Sequence, residues 1–268
     1  MRVLVTGASG RIGSVLCPAL SGDHEVRGLD IVAPHYDFPG ELVVGDCSDP
    51  GVALDAVAGV DAVVHLAGYP SETDLPEILR GHVLATAALL EAMVTHGARR
   101  MVFASSNHAV GRTPRSPLLA VDTRPRPDTL YGVGKVAGEA LLSLYADRGG
   151  IDAVAIRIGS FRPRPSTRRE LSTWLSHDDG VRLFEAALSA DVDGLAVIYG
   201  VSANRDGWWD LAPARALGYE PLDDAAAYET QIAAGPDDAA EAAYVGGPYA
   251  NPDEAVPAFP ASMDKEGR

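Results

Sequence analysis

The first thirteen residues, from Met1 to Gly13, constrain this 268-residue chain more than any other stretch. Val3, Leu4 and Val5 form an apolar run of the kind that suits a buried parallel strand. Gly7, Gly10 and Gly13 follow at intervals of three, and an amphipathic run from Ile12 to Leu20 begins inside them. Such a strand, turn and helix bring bare backbone close to whatever lies at the helix start. The turn must be tight, and a pyrophosphate must approach without a Cβ in the way. The helix must also pack closely on the strand. Its first N–H groups and partial positive charge then face the phosphates. Gly7, Ser9, Gly10, Arg11, Ile12 and Gly13 are therefore candidate dinucleotide contacts. The spacing Gly-x-x-Gly-x-x-Gly is not the commoner Gly-x-Gly-x-x-Gly, and alone it also fits an α/β turn that holds no nucleotide.

Downstream, strand and helix signals alternate for roughly two hundred residues. The second strand, Glu25 to Asp30, ends in an acid placed to accept from the adenosine ribose hydroxyls. An acid at Asp30 repels a 2′-phosphate, and Ile31 and Val32 offer no neighbouring cation, which favours NAD over NADP. The plainer alternative is a surface acid closing a strand. After a third strand, Asp49 or Ser48 is placed to cap a helix opened by Pro50. Asp46, beside Cys47, could accept from an adenine amino group. The fourth strand, Asp61 to Leu66, runs into Ala67 and Gly68, small enough to let a cofactor lie across the strand end. His65, flanked by apolar residues, reads as a packed core histidine. A long helical pattern covers Leu75 to His96 and is closed by Gly97.

The fifth strand, Arg100 to Ala104, delivers Ser105, Ser106, Asn107 and His108 to its C-terminal end, where open α/β sheets place ligand chemistry. A long loop rich in proline and arginine follows, then Tyr131-Gly132-Val133-Gly134-Lys135, opening a helix to about Arg148. A sixth strand ends before Gly159, Ser160 and the basic segment Arg162 to Arg169, and a seventh runs from Leu195 to Tyr199. Ser176-His177-Asp178-Asp179 reads as a helix cap, not a metal site. The fold expected is an α/β, Rossmann-type doubly wound parallel sheet of about seven strands with a small C-terminal substrate lobe. It forms a single domain: 1–160 mainly for the cofactor, 161–250 mainly for the substrate, and 251–268 a poorly ordered tail.

Charge and cysteine usage narrow the partners. A net charge of −15 argues against nucleic acid, whose phosphates need a basic surface. Two cysteines, Cys17 and Cys47, give no disulfide framework. The first strand starts at once, leaving no space for a signal peptide, and no uninterrupted apolar run reaches the length of a membrane span. A cytoplasmic protein without membrane or metal, acting on a small molecule, is the expectation.

Placed beside a nicotinamide, Ser106, Tyr131 and Lys135 make a hydride-transfer site. An isolated tyrosine titrates near 10. A lysine one helical turn away and a cationic ring favour its phenolate. Moving it to about 7 takes roughly 4 kcal/mol. Tyr131 then removes a hydroxyl proton as hydride leaves the same carbon, and Ser106 holds the reacting oxygen.

Thr6-Gly7-x-x-Gly10-x-x-Gly13, Asp30, Ser106 and Tyr131-x-x-x-Lys135 together resemble the extended short-chain dehydrogenase/reductases (the NAD-dependent epimerase/dehydratase family). Finer strings resemble the bacterial uronate dehydrogenases: Phe103 to His108, Leu130 to Lys135, Arg157 to Ser160, Leu171 to Asp179 and Ser202 to Asp210. The resemblance covers nearly the whole chain. It implies an NAD-dependent enzyme that oxidises the anomeric carbon of cyclic glucuronate or galacturonate to an aldarolactone. By position it implies Tyr131 as base, Lys135 as its tuner and Ser106, Asn107 and His108 around the sugar. Ser160 and Arg169 would meet the sugar carboxylate, and a guanidinium suits it through two parallel hydrogen bonds. Leu66, Ala67, Gly68 and Ser105, with Tyr131 and Lys135 themselves, complete the cofactor contacts, and a homo-oligomer is expected. Two positions depart from the pattern. Ser71 stands one place from the family's small polar residue, and His82 replaces an expected asparagine. The additional arginines Arg112, Arg115, Arg162, Arg164 and Arg168 are either solvated loop cations or a phosphate clamp, so a glucose 6-phosphate dehydrogenase is the first alternative. A nucleotide-sugar epimerase would need a larger C-terminal lobe, and a non-enzymatic NAD sensor would not need the complete Ser-Tyr-Lys set.

Overall fold

A computed structural model describes residues 1–236 and 238–250. The expected tail, 251–268, lies outside the described residues. Seven parallel strands form the main sheet: β1 (Arg2–Thr6), β2 (Glu25–Asp30), β3 (Glu41–Val44), β4 (Ala62–His65), β5 (Arg100–Ser106), β6 (Asp152–Ile158) and β9 (Leu195–Gly200). Their order is β3-β2-β1-β4-β5-β6-β9. The chain therefore winds outward in both directions from β1 and β4, and the crevice at their C-terminal ends is the place such a sheet offers a ligand. A two-stranded ribbon, β7 (Ser160–Phe161) with β8 (Trp174–Leu175), stands beyond it.

Helices cover both faces. On one side α1 (Gly13–Leu20) and α7 (His177–Ser189) bury Leu16, Leu20, Leu183 and Phe184 against Val5, Val64 and Ile156. On the other, α2 (Pro50–Val57), α4 (Ala85–His96) and α5 (Leu130–Gly149) bury Ala56, Leu89, Met93 and Leu142 against Leu4, Val63 and Met101. Strands buried on both faces need continuous apolar runs, which explains why β1 and β4 lack alternation. Asp49 caps α2 by accepting from Gly51 and Val52 N–H groups at 2.8 and 3.3 Å, and Ser176 caps α7 by accepting from Asp179 N–H at 2.9 Å.

The long helical pattern is one rod in three parts: α3 (Leu75–Ile78), a π-helical stretch Leu79–Leu84, and α4. The wider π turn lets Gly81 lie on the Tyr69 ring and brings His82 beneath Gly68. By length and mean hydropathy this rod could cross a membrane, although Glu77, Arg80 and Glu91 interrupt its apolar run. Here it is a core helix, with Leu89, Leu90 and Met93 fully buried on the sheet.

An ion pair sits inside the α5–β6 interface. Arg157 donates to both Glu139 carboxylate oxygens at 2.9 and 2.8 Å, and Ser105 Oγ adds a third hydrogen bond at 2.6 Å. Both charged residues are buried, so removing one strands the other. Arg157→Leu is expected to lower unfolding stability by about 3–5 kcal/mol, read from urea midpoints. Adding Glu139→Leu to that variant should restore most of the loss.

Candidate active site

The crevice at the β1–β4 switch point opens into a cleft of about 880 Å³. Its first half is backbone. Gly7 holds a left-handed φ of +69°, and a Cβ there would lie 2.8 Å from Ala67 N. A Cβ on Gly13 would sit 2.7 Å from Ala8 Cα, so both glycines are required by close approach. No side chain caps α1, and the Ser14 and Val15 N–H groups donate to the Gly10 and Ile12 carbonyls at 2.9 and 3.0 Å. The N–H groups of Arg11, Ile12 and Gly13 have no partner among the described residues, which leaves those three to an external acceptor. Asp30, at the end of β2, accepts from Ser9 N–H at 2.9 Å and Val32 N–H at 3.2 Å. Its carboxylate is thus aimed across the mouth of the turn beside the exposed apolar side chains of Ile31 and Val32. Ser9, Gly10, Arg11, Ile12, Leu66, Ala67 and Gly68 line the same half. Asp46 and Cys47 border it. The Asp46 carboxylate accepts from Ser48 N–H at 2.9 Å, and burial pushes the Cys47 thiol up to about 12. This cradle, with free helix N–H groups and a ribose-height acid, fits NAD.

The second half holds the side chains with chemistry. Ser106 ends β5, and its Oγ accepts from His108 N–H at 3.2 Å, starting a short turn that turns Asn107 and His108 into the cleft. Tyr131 enters from the first turn of α5. Thr129 caps that helix through Gly132 N–H at 3.0 Å. Glu72, in the loop after β4, accepts from Leu130 and Tyr131 N–H groups at 2.8 and 2.9 Å. A carboxylate across a helix N-terminus also opposes the helix dipole favourably. No local sequence signal marks Glu72, because its partners lie nearly sixty residues away.

Lys135 lies one turn along α5, with Nζ 5.4 Å from the Tyr131 ring centre. Burial brings its ammonium down to about 7, opposed by Glu139. Burial raises the Tyr131 phenol above its usual value, and a hydrogen bond with Ser106 pulls the other way. In the protein alone, dehydration therefore prevails over that opposing pull. Ser105 lines the cleft, while its hydroxyl is committed to Glu139.

Two histidines back this centre. His65 bridges Thr6 Oγ1 at 2.7 Å and Thr86 Oγ1 at 3.1 Å, a packed core histidine as its flanks suggest. His82 Nε2 meets the Tyr69 carbonyl at 3.1 Å, and its ring stands edge-on to Tyr131 at 5.4 Å. Burial foremost, with Lys135 next, lowers His65 to about 3 and His82 to about 2. Both stay neutral when folded but bind protons when unfolded below pH about 6.5, so acid favours unfolding. Between pH 6.5 and about 3 each contributes a loss of about 1.4 kcal/mol per pH unit. Urea titrations at pH 7 and pH 5 should show His82→Asn to be less acid-sensitive than the parent by about half of the two-histidine effect.

The substrate side is closed by chain from three places. Ser160, in β7, shares a 2.9 Å hydrogen bond with Thr173 Oγ1 and lines the cleft. Arg169, just before the short helix Glu170–Thr173, donates to the Val245 carbonyl at 2.9 Å. With its amide oriented to satisfy both ends, Asn107 accepts from Arg169 at 2.8 Å and donates to the Ile158 carbonyl at 3.2 Å. Residues 241–250 lie along the loop 111–115 through three backbone hydrogen bonds of 2.9–3.0 Å. Tyr249 thereby reaches this chain's own cleft, its ring 5.2 Å from His108. Ser71 is exposed and lies outside the cleft lining, whereas Tyr69 and Pro70 belong to it, as the loop brings Glu72 onto α5. Of the additional arginines, Arg162 pairs with Glu170 at 2.8 Å, and Arg112 bonds the Ala250 carbonyl and stacks on Tyr244. Arg164 lies over the Tyr228 ring. Arg115 and Arg168, with Arg169, line a neighbouring cavity of about 310 Å³.

A nucleotide cradle at a parallel-sheet switch point, with serine, tyrosine and lysine at its inner end, defines an NAD-dependent α/β enzyme of the dehydrogenase type. The family model "NAD dependent epimerase/dehydratase family" matches residues 3–177, and the chain belongs to that family, with NAD as its cofactor. It is 42% identical over 233 residues to the uronate dehydrogenase of Agrobacterium fabrum, covering 86% of this chain and 88% of the relative. A mutant of the Agrobacterium tumefaciens uronate dehydrogenase, crystallised with NAD, superposes with a TM-score of 0.89 at 39% identity, covering 96% of this chain and 98% of the other. An NAD-dependent glucose-6-phosphate dehydrogenase of Haloferax volcanii is 36% identical over 249 residues, covering 84% of this chain and 95% of the relative.

Proposed function

We propose that the chain oxidises the anomeric carbon of a cyclic hexuronate, glucuronate or galacturonate, to the corresponding aldarolactone. The observation that carries this reading is Arg169. It is a largely buried guanidinium in the catalytic cleft, steadied by a backbone carbonyl and an amide, and its planar fork suits a carboxylate. When bound, NAD supplies the acceptor for the leaving hydride and a positive ring beside the phenol. The glycine turn, the α1 N-terminus and Asp30 would hold it. Ser106 orients the anomeric hydroxyl by hydrogen bonding, and Tyr131 takes its proton. Lys135 contributes a nearby proton-binding group whose buried ammonium is poised near neutrality. Asn107, His108 and Ser160 fix the ring hydroxyls, and Arg169 fixes the carboxylate, so that one face of the anomeric carbon is presented.

A second reading, oxidation of a sugar phosphate, draws on the neighbouring cavity, where Arg115 and Arg168 join Arg169. Asp238 and Glu241 line that cavity too and offset the arginines, so the uronate is preferred. NADH formation with glucuronate, galacturonate, glucose and glucose 6-phosphate decides between them. Turnover on the uronates, with glucose oxidised at no more than a residual rate, is the expected outcome. Turnover confined to glucose 6-phosphate would assign the arginines to phosphate. Bound NAD with no turnover on any of the four would point to a sensor.

A further inference from the structure

We propose that Asp128 is a positioning residue for the uronate reaction, holding His108 in one ring orientation and one tautomer so that Nε2 meets the sugar. The proposal rests on the uronate reading for its kinetics, but not for its structural test. Asp128 has a fully buried side chain just ahead of the α5 cap, at the inner end of the arginine- and proline-rich loop. Its two carboxylate oxygens lie 3.0 and 2.9 Å from His108 Nδ1, and Thr129 Oγ1 adds a bond at 3.2 Å. Two glycines enclose it. A Cβ on Gly111 or on Gly246 would collide with the carboxylate, and these two residues are joined by a 2.9 Å backbone hydrogen bond. The chain thus brings a loop and the segment 241–250 together over an acid that a substrate does not reach.

A carboxylate accepts but does not donate, so the nitrogen facing it carries the hydrogen. In the neutral imidazole that leaves the lone pair on Nε2. With Nδ1 committed to the buried Asp128, Nε2 is the nitrogen left for the cleft, which His108 lines between Tyr131, 5.9 Å away edge-on, and Tyr249. A fixed acceptor there selects a sugar hydroxyl that donates. In the other tautomer Nε2–H would donate instead of accept, and a flipped ring would present carbon in its place; either mis-holds the sugar. Near the pair, the Arg169 guanidinium is charged and senses Asp128, and the Tyr131 phenol is titratable.

The test compares the parent with Asp128→Asn, whose amide is the same size. ¹⁵N-histidine NMR on the full chain, with His108→Gln identifying the resonances, should report His108 hydrogen-bearing at Nδ1. In Asp128→Asn it should report exchange between tautomers or conversion to the Nε2-bearing form. In parallel, KM for the uronate should rise roughly tenfold or more, the worth of one misdirected hydrogen bond, with a smaller change in kcat and with NAD affinity and melting temperature unchanged. His108 bearing its hydrogen on Nε2 in the parent, or a tautomer and KM untouched by Asp128→Asn, would overturn the proposal. Should the parent turn over no uronate, the substrate reading fails, and the NMR comparison still decides whether Asp128 sets the ring. A melting temperature lowered in step with KM would assign Asp128 to folding and overturn it as well.

Discussion

Tyr131→Phe should lower kcat for uronate oxidation by about 10³-fold, the range that a positioned proton acceptor contributes, while NAD still binds with parental affinity. The substitution removes one oxygen and keeps the ring, so the edge-on contacts with His82 and His108 survive. Glu72 and Thr129 hold the helix start through backbone N–H groups, which the variant retains. What is lost is the phenolic hydroxyl that takes the proton. Calorimetric NAD titration, melting temperature and steady-state rates together separate this outcome from misfolding. A variant with kcat within tenfold of the parent would place the base elsewhere. Because burial pushes the phenol up in the protein alone, the parent's kcat/KM, which reports the free enzyme's groups, should climb with pH above neutrality, and Tyr131→Phe should remove that rise.

Arg169→Ala should reduce kcat/KM for glucuronate and galacturonate by about 10²- to 10³-fold, since removing one member of a buried charge pair costs about 2–5 kcal/mol. Glucose lacks the carboxylate, so its residual rate should barely change. This contrast distinguishes loss of carboxylate recognition from damage to the cleft. Arg169→Lys should recover little, because an ammonium cannot meet a carboxylate with two parallel bonds while still reaching the Val245 carbonyl. Equal losses on glucose and the uronates would show that Arg169 shapes the site without reading the substrate.

Much of the cofactor half was legible in the chain because its determinants are local. A glycine is needed at residue 7 by a left-handed turn, and at residue 13 by contact with a turn five residues back. Asp30 closes the very strand that neighbours that turn. Ser106 and the Tyr131–Lys135 pair announce themselves by strand-end chemistry and helical spacing. The substrate half was harder to read because its pieces meet only in three dimensions. Glu72 and Asp128 act on residues reached by folding, and neither carries a motif. Ser71's place outside the cleft lining was hidden for the same reason, since the loop's path is set by what Glu72 finds on α5. The π turn around His82 was invisible to a pattern built on a regular helical repeat.

The acceptor that steadies Arg169 is the main-chain carbonyl of Val245. A carbonyl is indifferent to the side chain beside it, so substitutions along this edge can accumulate while the arginine keeps its aim. Insertion or deletion is another matter. One residue more or fewer would slide the backbone pairing with residues 111–115 by a step and turn the carbonyl away. Relatives of this chain should therefore vary freely in composition there and hardly at all in length, and a library that diversifies the segment should fix its residue count.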